Sequence, residues 1–106
     1  MMNDQWFDVT EEKDFKDNSR LATIVKGRPV LLFRQAGQVF AVEDRCPHLG
    51  CSLARGTLEA YILKCPCHDW TFDIRSGEFQ YAREIKLTVY DCRVDSGKIV
   101  MKARRS

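Results

Sequence analysis

The chain contains two short motifs rich in cysteine and histidine, CPHLGC at residues 46–51 and CPCHDWTFD at residues 65–73. Together they hold four of the five cysteines and both histidines of the 106 residues. Proteins that stay in the cytosol seldom use cysteine for disulfides and more often use it for metal binding or catalysis. The function is therefore expected to lie in these motifs.

The spacing of the motifs predicts a metal centre. Cys46-x-His48 and Cys65-x-x-His68 bring one thiolate and one imidazole from each of two loops. Such a set could close a tetrahedral zinc site, although zinc fingers usually pair cysteine with cysteine and histidine with histidine. Mixed pairs favour a cluster of two irons, in which one iron binds both thiolates and the other binds both imidazoles. Spacing alone leaves both alternatives open.

Composition narrows the class of protein. With 44% apolar residues, the 106 residues can build one modest core, so we expect a single domain over 1–106. The net charge of +2 is too small to indicate a nucleic-acid or membrane-surface partner. Apolar runs such as residues 29–33 are far shorter than the roughly 20 residues that span a bilayer. Residues 1–5 are polar and show no signal-peptide core, so a soluble, cytoplasmic protein without a membrane anchor is expected.

The flanking sequence predicts strands. Apolar alternation and turn residues indicate a meander over residues 20–43, and the pattern resumes after the middle segment with a hairpin loop at Asp95–Gly97. We predict an all-β antiparallel sandwich or open barrel, with a body formed by residues 1–43 and 80–106. Its two ends should pair, and an irregular insert should occupy residues 44–79. Thr10–Asp14 favours a short helical turn capped by Thr10.

The two motifs resemble the Rieske [2Fe-2S] signature almost residue by residue. The resemblance covers the insert densely, whereas the flanking strands agree only in pattern and length. It implies a Rieske-like β-fold and a [2Fe-2S] cluster, with Cys46 and Cys65 on one iron and His48 and His68 on the other. Within the family, the chain is most similar to the small soluble ferredoxins.

The resemblance also gives a role to the two remaining cysteines of the motifs. The quinol-oxidising Rieske proteins carry an extra cysteine in each loop, joined as a disulfide, and Cys51 and Cys67 occupy those positions here. A Cys51–Cys67 disulfide is therefore expected, with two reduced thiols as the alternative. Cys92 lies on an alternating strand and is expected to be a small buried apolar residue rather than a reactive thiol.

Residues beside the predicted ligands should tune the cluster. High-potential members continue the second loop with Gly-Ser and then Tyr, whose hydroxyls donate to the cluster. Trp70 and Phe72 here are similar to the ferredoxin and oxygenase members, and Asp69 adds a negative charge that disfavours uptake of an electron. We therefore expect a potential in the lower half of the Rieske range. Leu49 and the prolines of both loops should surround the imidazoles as an uncharged tip that suits brief docking.

Such a cluster leaves no open coordination position, so the chain is expected to carry single electrons rather than to be an enzyme by itself. The resemblance implies a ferredoxin that passes electrons from a flavin reductase to a terminal oxygenase. One alternative is the small Rieske subunit of an assimilatory NAD(P)H nitrite reductase, whose partner would be the large subunit. Less favoured alternatives are a quinol-oxidising protein, a thiol-disulfide regulator that uses Cys51 and Cys67, and a zinc-stabilised interaction module.

Overall fold

The computed structural model describes residues 6–47, 50–67 and 69–102. These residues form strands and one short 3-10 helix, Glu12–Asp14. The strands are β1 (Trp6–Glu11), β2 (Arg20–Val25), β3 (Arg28–Gln35), β4 (Gln38–Glu43), β5 (Thr57–Glu59), β6 (Ile62–Lys64), β7 (Thr71–Asp73), β8 (Glu78–Phe79), β9 (Ala82–Lys86), β10 (Val89–Tyr90), β11 (Cys92–Asp95) and β12 (Lys98–Lys102). Within these ranges, no helix has the length and apolar character needed to cross a bilayer.

The strands assemble into three antiparallel sheets. The first sheet has the order β1-β12-β11, the second β10-β4-β3-β2, and the third β5-β6-β7-β8-β9. The first sheet joins the two ends of the described chain, because Phe7 of β1 pairs with Met101 of β12. The predicted pairing of the ends and the predicted meander, now β2 to β4, are both confirmed.

Strand β3 shows how the sheets are layered. Successive side chains of a strand point to opposite faces, and in β3 both faces are buried. Val30 and Leu32 enter one apolar core, and Leu31 and Phe33 enter another. The second sheet therefore lies between the other two.

The two cores divide the apolar residues between the layers. We call the core next to the first sheet the body core: Phe15, Val25, Val30, Leu32, Ala41, Tyr90, Ile99 and Met101. We call the core next to the third sheet the loop core: Leu31, Phe33, Val42, Cys46, Leu53, Leu63, Cys65, Phe72, Ile74, Phe79 and Leu87. Two cysteines of the predicted metal site are thus part of a hydrophobic core.

Three local expectations differ from the structure. The segment 44–79 was expected to be irregular, but it contains β5 to β8, whose strands of two or three residues are too short to show a clear alternation. The third sheet also continues beyond Phe79 to the end of β9. The helical turn covers only Glu12–Asp14, and its N-cap is Glu11 without a side-chain bond, not Thr10. The division of the chain into a body and an insert stays a prediction.

Candidate metal centre

Cys46 and Cys65 lie together in the loop core, outside the disulfide bond. Cys46 is 2% exposed and follows β4 by three residues, whereas Cys65 is fully buried and directly follows β6. Leu63 and Phe72, on neighbouring strands, belong to the same core. The fold therefore gives two soft sulfur donors one dry environment.

The first cysteine loop, residues 46–51, is closed by its own backbone. The Cys46 N–H donates to the Cys51 carbonyl at 2.8 Å, and the Gly50 N–H donates to the Cys46 carbonyl at 2.7 Å. The Asp44 carboxylate holds the exit of the loop, because it accepts the Leu53 N–H at 2.6 Å and the Ser52 hydroxyl at 3.0 Å. The base of the loop is thus fixed by hydrogen bonds within the chain.

The second cysteine loop, residues 65–70, has a similar closure. The Cys65 N–H donates to the Trp70 carbonyl at 2.7 Å, and the Asp69 N–H donates to the Cys65 carbonyl at 3.1 Å. Asp69 has a φ of 61°, in the left-handed region that aspartate tolerates better than most residues other than glycine. The sharp turn before β7 therefore depends on the residue type at position 69.

A disulfide joins the two loops. Cys51 and Cys67 are bonded, with their Cα atoms 6.6 Å apart and 16 positions apart in sequence. Cys67 is exposed and Cys51 is half-buried. The pairing implied by the resemblance is the one that the structure shows.

The remaining predicted site residues are placed only in part. His48, Leu49 and His68 lie outside the described residues. Asp69 is exposed, Trp70 is half-buried and Phe72 is fully buried. The Trp70 and Phe79 rings are stacked, with their centres 4.2 Å apart and an angle of 8° between their planes. Phe72 packs against both rings. Phe72 therefore forms part of the wall of the core that holds Cys65.

Cys92 lies away from the loops, on β11, and packs against the body core. It is half-buried rather than fully buried as expected. Burial, with a smaller contribution from the negative charge of Asp91, raises the pKa of the Cys92 thiol to about 12. The thiol therefore stays protonated at neutral pH, which agrees with a packing role.

Sequence reasoning missed two residues that hold the first loop. Asp44 could have been noticed as an acid two positions before a predicted ligand. Arg20 gave no signal, because it lies on β2, far away in sequence. Its Nη1 donates to the carbonyls of Ala54 and Gly56 at 2.8 and 2.7 Å, and its guanidinium lies 5.3 Å from the centre of the Phe33 ring. Arg20 thereby ties the segment after the first loop to the second sheet.

The donors in this centre suit an iron-sulfur cluster. Two buried thiols, brought together by loops that a disulfide cross-links, provide soft ligands in a site shielded from water. Residues 5–91 match the model of the Rieske [2Fe-2S] domain. The chain belongs to this family and carries a Rieske-type [2Fe-2S] cluster.

Known relatives place the chain among small members of the family. It is 27% identical over 106 residues to "Ferredoxin CarAc" of Metapseudomonas resinovorans, with 98% of this chain and 99% of the relative covered. The ferredoxin of carbazole 1,9a-dioxygenase from Nocardioides aromaticivorans has a similar structure, with a TM-score of 0.85 and 25% identity over 93% of this chain and 98% of the other. A ferredoxin chain solved in complex with the oxygenase of a carbazole 1,9a-dioxygenase gives a TM-score of 0.84 at 25% identity, with 98% of each chain covered.

Proposed function

We propose that this chain is a one-electron carrier of a Rieske-type oxygenase system, which accepts electrons from a flavin reductase and delivers them to a terminal oxygenase. The observation that carries the proposal is the extent of the match. The chain and the ferredoxin of Metapseudomonas resinovorans align over almost their full lengths. That relative is a ferredoxin, and its match over nearly the whole chain supports the role of an electron carrier.

The proposed ligands are Cys46 and Cys65 on one iron and His48 and His68 on the other. When bound, the cluster supplies a site that takes up and releases one electron. The chain's own residues bury the two thiols, close each loop at its base and strap the loops together through Cys51–Cys67. A rigid, dry site favours fast electron transfer, because little has to rearrange when the charge changes.

With four protein ligands on the cluster, no position is left for a substrate. We therefore propose that the chain is not itself an enzyme. We also propose that residues 1–106 act as one domain and that the protein works in the cytoplasm. We also propose a reduction potential in the lower half of the Rieske range. Trp70 and Phe72 support this value because their side chains carry no hydroxyl to donate to the cluster, and the exposed carboxylate of Asp69 opposes reduction.

The first experiment is to record visible and EPR spectra of aerobically purified protein before and after dithionite. We expect a red-brown protein that takes up one electron per chain, and pulsed EPR should detect nitrogen coupling from two imidazoles. His48→Cys and His68→Cys should each remove one coupling and lower the potential. A colourless protein containing zinc would overturn the proposal.

A second experiment tests the direction of electron flow. The reductase and oxygenase of a carbazole 1,9a-dioxygenase are mixed without their own ferredoxin, and NADH-dependent carbazole oxidation is measured with and without this chain. We expect turnover only when the chain is present. A chain that is reduced by the reductase but supports no oxidation would contradict delivery to an oxygenase of this type.

A further inference from the structure

One end of the third sheet carries both the second cysteine loop and the segment that leads into β5 at Thr57. Thr57 pairs with Lys64, Lys64 pairs with Thr71, and the Gln80 N–H donates to the Thr71 carbonyl at 3.0 Å. The start of β5, the end of β6, the start of β7 and the β8–β9 turn therefore lie side by side. We call this the loop end of the third sheet. Cys65 follows Lys64 directly, so a partner that approaches the cluster here meets these residues.

Tyr81, in the β8–β9 turn, is an exposed aromatic residue at the loop end. Its side chain is 83% exposed, more than the other large exposed apolar residues of the described chain, Ile24 and Val94. The rings of Tyr81 and Phe79 pack edge to face, with their centres 5.7 Å apart. Phe79 in turn stacks on Trp70. An aromatic ring held in place by a stack loses little conformational entropy on docking, and such residues anchor protein interfaces.

Exposed cations lie on or next to the strands that form the loop end. Arg55, Lys64 and Arg83 are exposed, and none of them forms an ion pair within residues 6–47, 50–67 and 69–102. The backbone of Gly56, next to Arg55, packs directly on the carbonyl of Lys64. The Gly56 carbonyl also accepts a hydrogen bond from the Arg20 guanidinium. Positive groups from three segments therefore lie at the loop end, where the exposed acids are Asp69 of the second loop and Glu84, which follows Arg83.

The far end of the same sheet is different. There, Arg75 Nη2 donates to Asp73 Oδ2 at 2.8 Å, and the Arg75 guanidinium lies 4.3 Å from the centre of the Tyr61 ring. This hydrogen bond lowers the pKa of Asp73. At the far end the charges of Arg75 and Asp73 thus compensate each other, whereas none of the ion pairs in the described part of the chain includes Arg55, Lys64 or Arg83.

We propose that the loop end of the third sheet is a docking face for a redox protein whose contact surface is acidic, with Tyr81 as the apolar anchor. The inference rests on the proposed function, because it assumes that a protein exchanges electrons with the cluster. The cations attract the partner and orient it over the cysteine loops, and the Tyr81 ring enters an apolar part of its surface. The partner surface is therefore an acidic rim around an apolar centre.

The positive charge of the loop end is tested with electron acceptors whose own charge is known. Reduced holoprotein is mixed in a stopped-flow instrument with ferricyanide, with cationic tris(phenanthroline)cobalt(III), or with plastocyanin as an acidic acceptor protein. Raising the ionic strength from about 10 to about 200 mM should slow oxidation by ferricyanide and by plastocyanin, and should accelerate oxidation by the cobalt complex.

The matched variants are Arg55→Glu/Lys64→Glu at the loop end and Lys13→Glu/Lys16→Glu in the body, which change the net charge equally. The first should slow oxidation by plastocyanin at low salt by about tenfold and remove the salt dependence, whereas the second should retain most of both. Equal effects of the two double variants would overturn the location of the charged face.

Tyr81 is tested separately. Tyr81→Ser should slow oxidation by plastocyanin several-fold and leave oxidation by ferricyanide unchanged, because a small anion needs no apolar anchor. Ile24→Ser, at a side chain 65% exposed on β2, is the control and should change neither rate. Equal rates of the two variants with plastocyanin would show that Tyr81 is not part of the docking face. A chain without a reducible cluster would instead defeat the proposed function, so the two failures are distinguishable.

Discussion

The first and second sheets, which we now call the body, differ from the third sheet and its cysteine loops in how they use side chains. On the surface of the body several charges are paired: Arg34 contacts Glu12 and Asp17, and Lys98 contacts Asp8 and Glu11. In the loops, backbone hydrogen bonds and a disulfide hold the chain, while exposed cations stay uncompensated. The body thus supplies a support, and the loops carry the buried sulfur ligands and the exposed charges.

The largest contrast between the two regions concerns their cysteines. Cys46→Ser or Cys65→Ser replaces a soft sulfur ligand with a harder oxygen, so each variant should lose the cluster. Cys92→Ser, in the body, should keep it. Iron and sulfide per chain and the visible spectrum measure the difference, and circular dichroism checks that the fold survives. A full complement of iron in Cys65→Ser would show that Cys65 is not a ligand.

Backbone packing gives the next contrast. A Cβ at Gly56 would overlap the Lys64 carbonyl oxygen, whereas a Cβ at Gly37, in the β3–β4 turn, meets no atom within 4 Å. Gly56→Ala should therefore lower the free energy of unfolding by about 3 kcal/mol, because backbone atoms must move. Gly37→Ala should cost only about 1 kcal/mol, for its left-handed φ. Denaturant unfolding compares the two, and equal losses would mean that the Gly56 segment yields easily.

The disulfide is a cross-link of the loops that the body lacks. It closes a loop of 16 positions, so Cys51→Ser/Cys67→Ser should lower the free energy of unfolding by up to about 3 kcal/mol while retaining iron. The loss should be smaller in the holoprotein, because the cluster already ties the loops together. Dithiothreitol should lower the stability of the native protein to that of the double variant. If dithiothreitol lowered the stability of the double variant equally, the reductant would be acting at a site other than the Cys51–Cys67 disulfide.

The same division decides what the sequence could predict. Strands β2 to β4 were predicted well, because they are long enough to show alternation and are separated by clear turn residues. The motifs pointed to the metal centre because cysteine and histidine are rare and closely spaced. The short strands of the third sheet were missed, because two or three residues cannot establish a period. Arg20 and the stack of Trp70, Phe79 and Tyr81 were missed because they depend on contacts between distant segments.

The smallest predicted effect concerns Cys92. Its pKa of about 12 lies above the unfolded value of 9.0, so the neutral thiol contributes stability that is fully present below pH 9. That contribution is lost as the pH rises from about 9 towards 12, because only the unfolded chain then releases the proton. Between about pH 8 and pH 10, the native protein should lose on the order of 1 kcal/mol more stability than Cys92→Ala.

Alkylation gives an independent measurement of the same thiol. Iodoacetamide reacts with the thiolate, so at about pH 8 Cys92 should react about a thousandfold more slowly in the folded protein than in denaturant. Cys51 and Cys67 are bonded and should not react until they are reduced. Rapid alkylation of Cys92 in the folded protein would show that packing on β11 does not hold the thiol in its neutral, protected form.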